Sequence, residues 1–436
     1  MKLSQVFVGL ALAGLAGSAL ATNGYFSHGY GMKAKGMGGA ATATASDAFG
    51  GANNPASMAF VGDRIDLGAD LFSPRREASR SGSGGFFDGS AKSDSNYFLI
   101  PEFGLSKQVS SNLGLGVTVY GNGGMNTDYP GGQITSGACM GFGTPGAGNL
   151  MCGSGRLGVD LMQLIVAPTA AYKLNADHAI GISPLIGYQR FRLEGLQPFD
   201  NFSTSPGNVS NRGYDNSFGY GVRVGYQGKL TPSLSIGAAY ASRMNFEEFD
   251  KYRGLFAEGG DFDIPENYNL GLAWQASPQL LIALDYQRIN YSKEGSIANA
   301  SSNLALCAGG SPAHCLGGPL GAGFGWQDVD VWKLGVEYKH SKALTLRAGY
   351  NHGDNPIRSS DVTFNILAPG VVKDHVTLGM TYVLASGNEL TVSYMHAFKK
   401  DVTGTSLLAG FGAPPTTTET IKMHQNSLGV AYSWKM

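Results

Sequence analysis

Apolar and polar residues alternate one by one through the C-terminal half of this 436-residue chain. The beat runs through Trp332–Tyr338, Leu344–Tyr350, Val376–Tyr382 and Leu390–Tyr394. A period of two gives a strand with one greasy and one polar face. A soluble sandwich alternates too, so the punctuation between strands decides more. Short turn signals fall at Ser110-Ser111-Asn112, Asn175-Ala176-Asp177, Thr231-Pro232-Ser233, Ser277-Pro278-Gln279, His340-Ser341-Lys342 and Ser386-Gly387-Asn388. Between them lie long Gly/Ser/Pro-rich connections, at 74–93, 123–157, 195–213, 249–261, 295–328, 354–371 and 401–420. Six short turns and seven long loops delimit fourteen strands. Short turns at one end and long loops at the other are the pattern of an outer-membrane barrel. The expected fold is all-β, a 14-stranded antiparallel transmembrane β-barrel over residues 63–436.

Aromatic residues are phased to those turns. Tyr172, Tyr226, Trp274, Tyr338 and Tyr382 lie three to five residues before a short turn. Tyr120, Tyr188, Tyr240, Tyr286, Tyr350 and Tyr394 lie six to ten residues after one. Two outward rings are expected, bracketing an apolar band about 25 Å tall, because half-buried Tyr and Trp suit a membrane interface. Parity then sends Ile236, Ala238, Leu270, Leu272, Leu334, Val336, Leu378 and Met380 to lipid, and Arg223, Arg243, Asp285, Lys333, Glu337, Arg347 and His375 to the lumen. The lumenal charges read as a structural network or as arginines that receive an anionic ligand group. The terminal Ser427-x-Gly429-x-x-Tyr432-x-Trp434 resembles the assembly signal of bacterial outer-membrane barrels, with Lys435 and Met436 following.

Composition fits this reading. Charged residues are 14% of the chain, glycine supplies 65 residues, and the formal net charge is -1. A nucleic-acid partner is disfavoured, since phosphate neutralisation needs clustered positive charge. Residues 1–21 read as a signal peptide: Lys2, then the apolar run Val6–Ala16, then Ala19-Leu20-Ala21. Export favours disulfides, and the four cysteines form two local pairs, Cys139 with Cys152 and Cys307 with Cys315. The pairs lack C-x-x-C spacing and a His cluster, so no metal or other cofactor is expected. The eight histidines are scattered, and an enzyme is not expected.

Residues 22–62 do not read as strand. They are small and glycine-rich, with a possible helix at Ala40–Phe49. The blocks Asn23-Gly24-Tyr25-Phe26-Ser27-His28-Gly29-Tyr30-Gly31, Lys33-Ala34-Lys35-Gly36-Met37-Gly38-Gly39-Ala40 and Asn54-Pro55-Ala56 resemble the FadL family of outer-membrane transporters for long-chain fatty acids and related hydrocarbons. The resemblance implies passive uptake of hydrophobic small molecules. Loops capture the ligand, an N-terminal hatch (22–62) rearranges, and the ligand exits sideways into the outer-membrane lipid beside a kinked third strand. On this chain the hatch motif is Asn54, Pro55 and Ala56. The kink would fall at Gly121, Gly123 and Gly124, at the end of a third strand over 113–124; a loop beginning at this glycine run is the equal alternative.

The outward loops carry Phe86-Phe87, Leu255-Phe256, Leu304, Leu306, Leu316, Leu320, Phe324, Leu407-Leu408 and Phe411. These form either a greasy capture surface or a loop core. A fatty-acid carboxylate would need a cation, for which Arg243 and Arg347 are the candidates, beside Leu255, Phe256 and Phe411 for the tail. The alternatives are uptake of aromatic or other hydrocarbons, or a general porin. A lateral-exit barrel needs no partner copy, so a monomer is expected.

Overall fold

The computed structural model describes residues 23–436; the expected leader at 1–21 lies outside the described residues. Fourteen long strands close into one antiparallel barrel. They are β1 Arg64–Ser81, β2 Phe98–Gln108, β3 Leu113–Tyr129, β4 Leu157–Lys173, β5 His178–Glu194, β6 Asp215–Thr231, β7 Leu234–Ala241, β8 Asn267–Gln275, β9 Leu280–Ile289, β10 Val329–Lys339, β11 Leu344–Gly353, β12 Asp374–Val383, β13 Glu389–Thr405 and β14 Thr418–Lys435. Each pairs with its sequence neighbours, and β14 returns to β1 with Lys435 opposite Arg64 and Thr418 opposite Ser81. Closure satisfies the edge N–H and C=O groups that lipid could not. Two short strands, Gly89–Lys92 and Asn245–Phe246, pair with β1 and β6 in the loops.

The faces follow parity. Burial alternates residue by residue along β4. Leu270, Leu272, Leu334, Leu378 and Met380 are exposed on the outer face, while Arg223, Asp285, Lys333, Arg347 and His375 are buried inside. Trp274, Tyr338, Tyr382, Tyr240, Tyr350 and Tyr394 are exposed on the outside, as the two rings require.

Three details differ from expectation. Tyr120 faces inward, with its ring 4.7 Å from that of Tyr30. Distance from a turn does not set a face; parity does, and Tyr120 shares its face with Thr118, whose Oγ1 donates to the Ala48 carbonyl (2.9 Å) inside the barrel. Arg243 is not on a strand, because β7 stops at Ala241 and parity was carried past its end. Strands also run beyond the expected loop starts: β1 continues past residue 74 and β3 past residue 124. Above the apolar band the same ladder continues with polar residues, so composition marks no boundary there.

The N-terminal segment from Asn23 lies inside the barrel and is almost wholly buried through Ala59. Its one α-helix is the short Met32–Lys35, and a 3₁₀ turn covers Pro55–Ala59. The expected helix at 40–49 is instead irregular backbone, because its polar groups are claimed by the wall. Asp285 on β9 accepts from the Ala41 and Thr42 N–H groups (both 2.8 Å) and from Thr42 Oγ1 (2.7 Å). Asp66 on β1 accepts from the Ala48 N–H at 2.7 Å. Lumen-facing glycines give the segment room. A Cβ on Gly237 would sit 2.0 Å from the Thr42 carbonyl oxygen, and one on Gly349 would sit 2.1 Å from the Gly38 nitrogen. Backbone approaching backbone this closely needs glycine.

Candidate functional site

The site is built where the N-terminal segment meets β3. Pairing of β2 with β3 runs from Gln108–Gly114 to Phe103–Val119 and stops there. Beyond that point Phe98–Glu102 of β2 stay bonded to β1, and Tyr120–Tyr129 of β3 stay bonded to β4. The wall parts between β2 and β3. At the same level β3 carries a bulge, with the register against β4 shifting between Gly121 and Gly123. The N-terminal segment fastens to that bulge: Ser27 N–H donates to the Asn122 carbonyl (3.2 Å), and Gly124 N–H donates to the Tyr25 carbonyl (3.2 Å). A Cβ on Gly123 would lie 1.9 Å from the Tyr25 oxygen. The glycine run is thus strand and bulge, not the start of a loop.

Tyr25 is fully buried. Its ring lies 5.3 Å from Tyr291, 6.0 Å from Trp326 and 6.2 Å from Phe262. The Tyr291 hydroxyl donates to the Asn23 carbonyl (2.7 Å) and accepts from the Tyr25 N–H (3.2 Å). Above this cluster the loop between β11 and β12 dips into the mouth, with residues 361–372 buried. Thr127 on β3 donates to the Leu367 carbonyl of that loop at 2.7 Å. The run Ile366-Leu367-Ala368 before Pro369-Gly370 is the sequence signal that could have marked this inward loop.

Deeper in the lumen the segment is pinned by charge. Lys35 Nζ lies 2.8 Å from Asp70 and 3.5 Å from Glu102, and Lys33 Nζ lies 2.7 Å from Glu389. Asn54, Pro55 and Ala56 dock on β5 and β6. Asn54 Nδ2 donates to the Thr42 and Tyr226 carbonyls (2.7 and 2.9 Å), and its Oδ1 accepts from the Ala56 N–H (3.1 Å). Gly181 and Gly225 leave the space for them.

The other sequence candidates scatter. Arg243 stands in the loop after β7, with Nε 2.7 Å from Asp263 and 3.0 Å from Glu294, and Nη2 3.3 Å from Asp261. Burial pushes the carboxyls of Asp261 and Glu294 up, each to about 7. Three carboxylates so close are also a conceivable cation cage, but the guanidinium occupies their centre. Arg347 lies on β11 five residues after the short turn at His340-Ser341-Lys342, far from the mouth, and is paired with Glu337 at 2.7 Å. Phe256 is buried against Phe191 and Phe262 (4.7 and 4.8 Å between ring centroids), Leu255 packs against the same core, and Phe411 meets Phe202 at 5.2 Å. Leu304, Leu316, Phe324 and Leu408 are buried as well, while Phe86, Leu306 and Leu320 stay exposed. The greasy loop residues therefore divide between a loop core and the surface. Cys139 is joined to Cys152 and Cys307 to Cys315, each bond closing a loop segment.

No local pattern in the chain marks Arg76. This β1 side chain is buried, and its Nη2 donates to Ser93 Oγ (3.0 Å) and to Ser95. Among the described residues its Nε has no partner and it makes no ion pair. It lines a small interior cavity with Tyr25, Phe72, Met125 and Trp326. A concavity of about 750 Å³ lies instead on the lipid-facing side, lined by Tyr172, Ile182, Val224, Tyr240 and Leu270. Its walls are apolar and outward, so it is not the transport path.

A family profile described as "Outer membrane protein transport protein (OMPP1/FadL/TodX)" matches residues 14–433. No curated protein matches the sequence. Solved structures with the same fold include a Pseudomonas aeruginosa FadL homologue, at TM-score 0.70 and 15% identity, covering 94% of this chain and 99% of that one. The Pseudomonas putida toluene transporter TodX follows at TM-score 0.65 and 19% identity, covering 94% and 99%. The Ralstonia pickettii toluene transporter TbuX stands at TM-score 0.61 and 17% identity, covering 94% and 99%. With the closed 14-strand barrel, the profile match over nearly the whole length places this chain in the OMPP1/FadL/TodX family of outer-membrane transport proteins.

Proposed function

We propose that this barrel admits hydrophobic small molecules and releases them sideways into the outer membrane, with residues 23–62 as the hatch. The carrying observation is the fastening of Tyr25–Ser27 to the β3 bulge, beside the place where β2 and β3 part. A hatch bonded to the wall at its own exit couples the two: withdrawing Tyr25 frees the Gly124 N–H, and withdrawing Ser27 removes its bond to the Asn122 carbonyl. The loops, with Leu255, Phe256, Phe411 and Arg243, form the capture side, and Asn54-Pro55-Ala56 holds the hatch's far end. A general porin fits poorly with a lumen filled from Asn23 to Ala59. One copy carries the whole route, so the protein works as a monomer.

Long-chain fatty acid is the leading cargo. Arg243 and Arg347 are both engaged by carboxylates in this conformation, so the cation that suits an acid head is Arg76, buried without a counter-ion next to the gap. A buried charge without a counter-ion is costly even when hydrogen-bonded, and a ligand carboxylate would relieve it. Neutral monoaromatic hydrocarbon is the second reading, favoured by the transporters of similar fold for which toluene is the named cargo and by the Tyr25–Tyr291–Trp326 cluster.

A tether tests the route. A Ser27→Cys/Asn122→Cys pair, oxidised, should stop uptake of radiolabelled fatty acid and toluene by cells, and reductant should restore it, with the parent treated alike. Uptake that is unchanged on oxidation would refute hatch movement. Arg76→Met separates the cargoes: loss of fatty-acid uptake with toluene uptake kept supports the first reading, and equal effects on both refute it.

A further inference from the structure

The outward face holds a group of cations that the transport route does not use. Arg75 on β1 and His424 on β14 stand opposite each other in register. Lys422 follows on β14, Lys399 sits at the bulge of β13, and Lys92 comes from the short strand paired to β1. With Asn96, the acid Glu77 and the inward-facing Arg76, Ser93 and Met423 they line a groove of about 330 Å³. Among the described residues, none of Arg75, Lys92, Lys399 and Lys422 makes an ion pair. Glu77 and Asp401 are register neighbours of Lys422, yet neither comes within ion-pair distance of these cations.

Elsewhere on the same rim cations find acids. Arg288 pairs with Asp328 and Asp330, Arg156 with Asp94 and Asp128, and Lys293 with Glu266. Five basic side chains around one groove acid, Glu77, none of them in ion-pair contact with it, repel one another and cost stability unless an anion completes them. Arg75 is also held in place. It donates to the Tyr97 hydroxyl (2.7 Å), and its guanidinium carbon lies 4.9 Å from that ring's centroid. This fixes a flat, phosphate-shaped donor against the surface.

Height in the membrane identifies the anion. Outward residues of β14 run Trp434, Tyr432, Val430 and Leu428, then turn polar at Asn426, His424 and Lys422. On β1 they run Ile65, Leu67, Ala69 and Leu71, then Ser73 and Arg75. The Tyr394 hydroxyl donates to Asn426 at 2.8 Å, marking the top of the upper aromatic ring. The cations start one outward residue above it, about 7 Å along the strand. That is the level of outer-leaflet headgroups, not of bulk water. Basic pockets at such a level bind anionic lipid heads.

We propose that Arg75, Lys92, Lys399 and Lys422 form a binding site for the phosphate of a phosphorylated glycolipid headgroup in the outer leaflet. Arg75 takes two phosphate oxygens through its fork, and the lysines neutralise the remaining charge. The three residues substituted below face outward; Arg76, which also borders the groove, is left in place, so the test reads the outer site whatever the cargo.

The test uses the full-length protein in detergent and native mass spectrometry with lipid A. Arms are bisphosphorylated lipid A, its dephosphorylated form, and inorganic phosphate. The variants are Arg75→Gln/Lys399→Gln/Lys422→Gln and the charge-keeping Arg75→Lys/Lys399→Arg/Lys422→Arg. The expected result is at least a tenfold loss of bisphosphorylated lipid A on the neutral variant and little loss on the charge-keeping one. Dephosphorylated lipid A and inorganic phosphate should bind the parent at least tenfold more weakly. Heat-modifiable gel migration shows that each variant is a folded barrel; if the neutral variant does not fold, competition of the parent's lipid binding by raised salt gives the same reading. Equal retention of lipid A by parent and neutral variant, equal binding of the dephosphorylated lipid, or salt-insensitive binding overturns the proposal. Inorganic phosphate binding as tightly as the lipid would overturn the lipid as source.

Discussion

Lys35→Met should unlatch the hatch. The ammonium of Lys35 lies 2.8 Å from Asp70 and 3.5 Å from Glu102, with the three side chains 6%, 2% and 4% exposed. Methionine keeps the length and removes the charge. Asp70 keeps its bond from Ser427 Oγ, and Glu102 keeps one from Gly31 N–H (3.3 Å). Both acids, however, lose the one cation they share. Removing one member of a buried pair costs about 3–5 kcal/mol, because a buried charge is left uncompensated. Both carboxylates belong to the wall, so water reaching them relieves the cost once the hatch lifts. The penalty therefore falls on the seated hatch and not on the barrel. At about 1.4 kcal/mol per tenfold, the population with the hatch lifted should rise by roughly two to three and a half orders of magnitude. Planar-bilayer conductance reads this as a nearly silent parent against a leaky variant. Hydrogen exchange at residues 31–37 should accelerate in parallel while strand amides stay protected. Lys35→Met/Asp70→Asn/Glu102→Gln, which leaves no charge to bury, should return most of the way to silence. If Lys35→Met forms a folded barrel with unchanged conductance and exchange, the ion pairs do not hold the hatch and the reasoning fails.

Gly237→Val should destabilise the seated hatch by about 1–3 kcal/mol through overpacking on the Thr42 carbonyl, while Ala238→Val, one residue on and facing lipid, should leave the exchange of residues 41–43 unchanged. Asp261 and Glu294, raised to about 7 by burial, carry protons in the closed loop that an opened loop would release at its ordinary carboxylate value of about 4. Their contribution to closure is thus full below about 4 and is lost as pH rises through about 7; proteolysis of the 242–266 and 290–328 loops should speed up over that window, and Asp261→Asn/Glu294→Gln should flatten the profile. Replacing Cys139 and Cys152 by serine opens a 13-residue separation. This should cost roughly 3 kcal/mol of order in that loop, seen as faster nicking within 130–156 with the heat-modifiable barrel intact.

The sequence by itself determined the wall. Alternation at Trp332–Tyr338 or Leu344–Tyr350 is a local property: each residue's neighbours in the chain fix which face it takes, and turn signals fix where the chain reverses. Strand number, lipid face and most of the aromatic ring follow from that alone. The Asn54-Pro55-Ala56 block and the glycine run at 121–124 stand out because they are contiguous, but whether the run was a bulge or a loop start took the register shift between Gly121 and Gly123 to decide. Parity could also have placed Tyr120 inward, since Leu113, Leu115 and Val117 set the outer face of β3 by the same rule. Only the tertiary structure decided what fills the barrel and how. Gly237, Gly349 and Gly429 look like ordinary weak strand positions, but each faces an atom of the N-terminal segment some two hundred to four hundred residues away in sequence. Arg243 looked like a free cation until folding brought Asp261, Asp263 and Glu294 around it. Arg76 falls in the connection expected at 74–93; the structure puts it on β1, buried without an ion pair to an acid. Pairing between distant residues is set by strand register and loop return, and no local pattern in the chain records it.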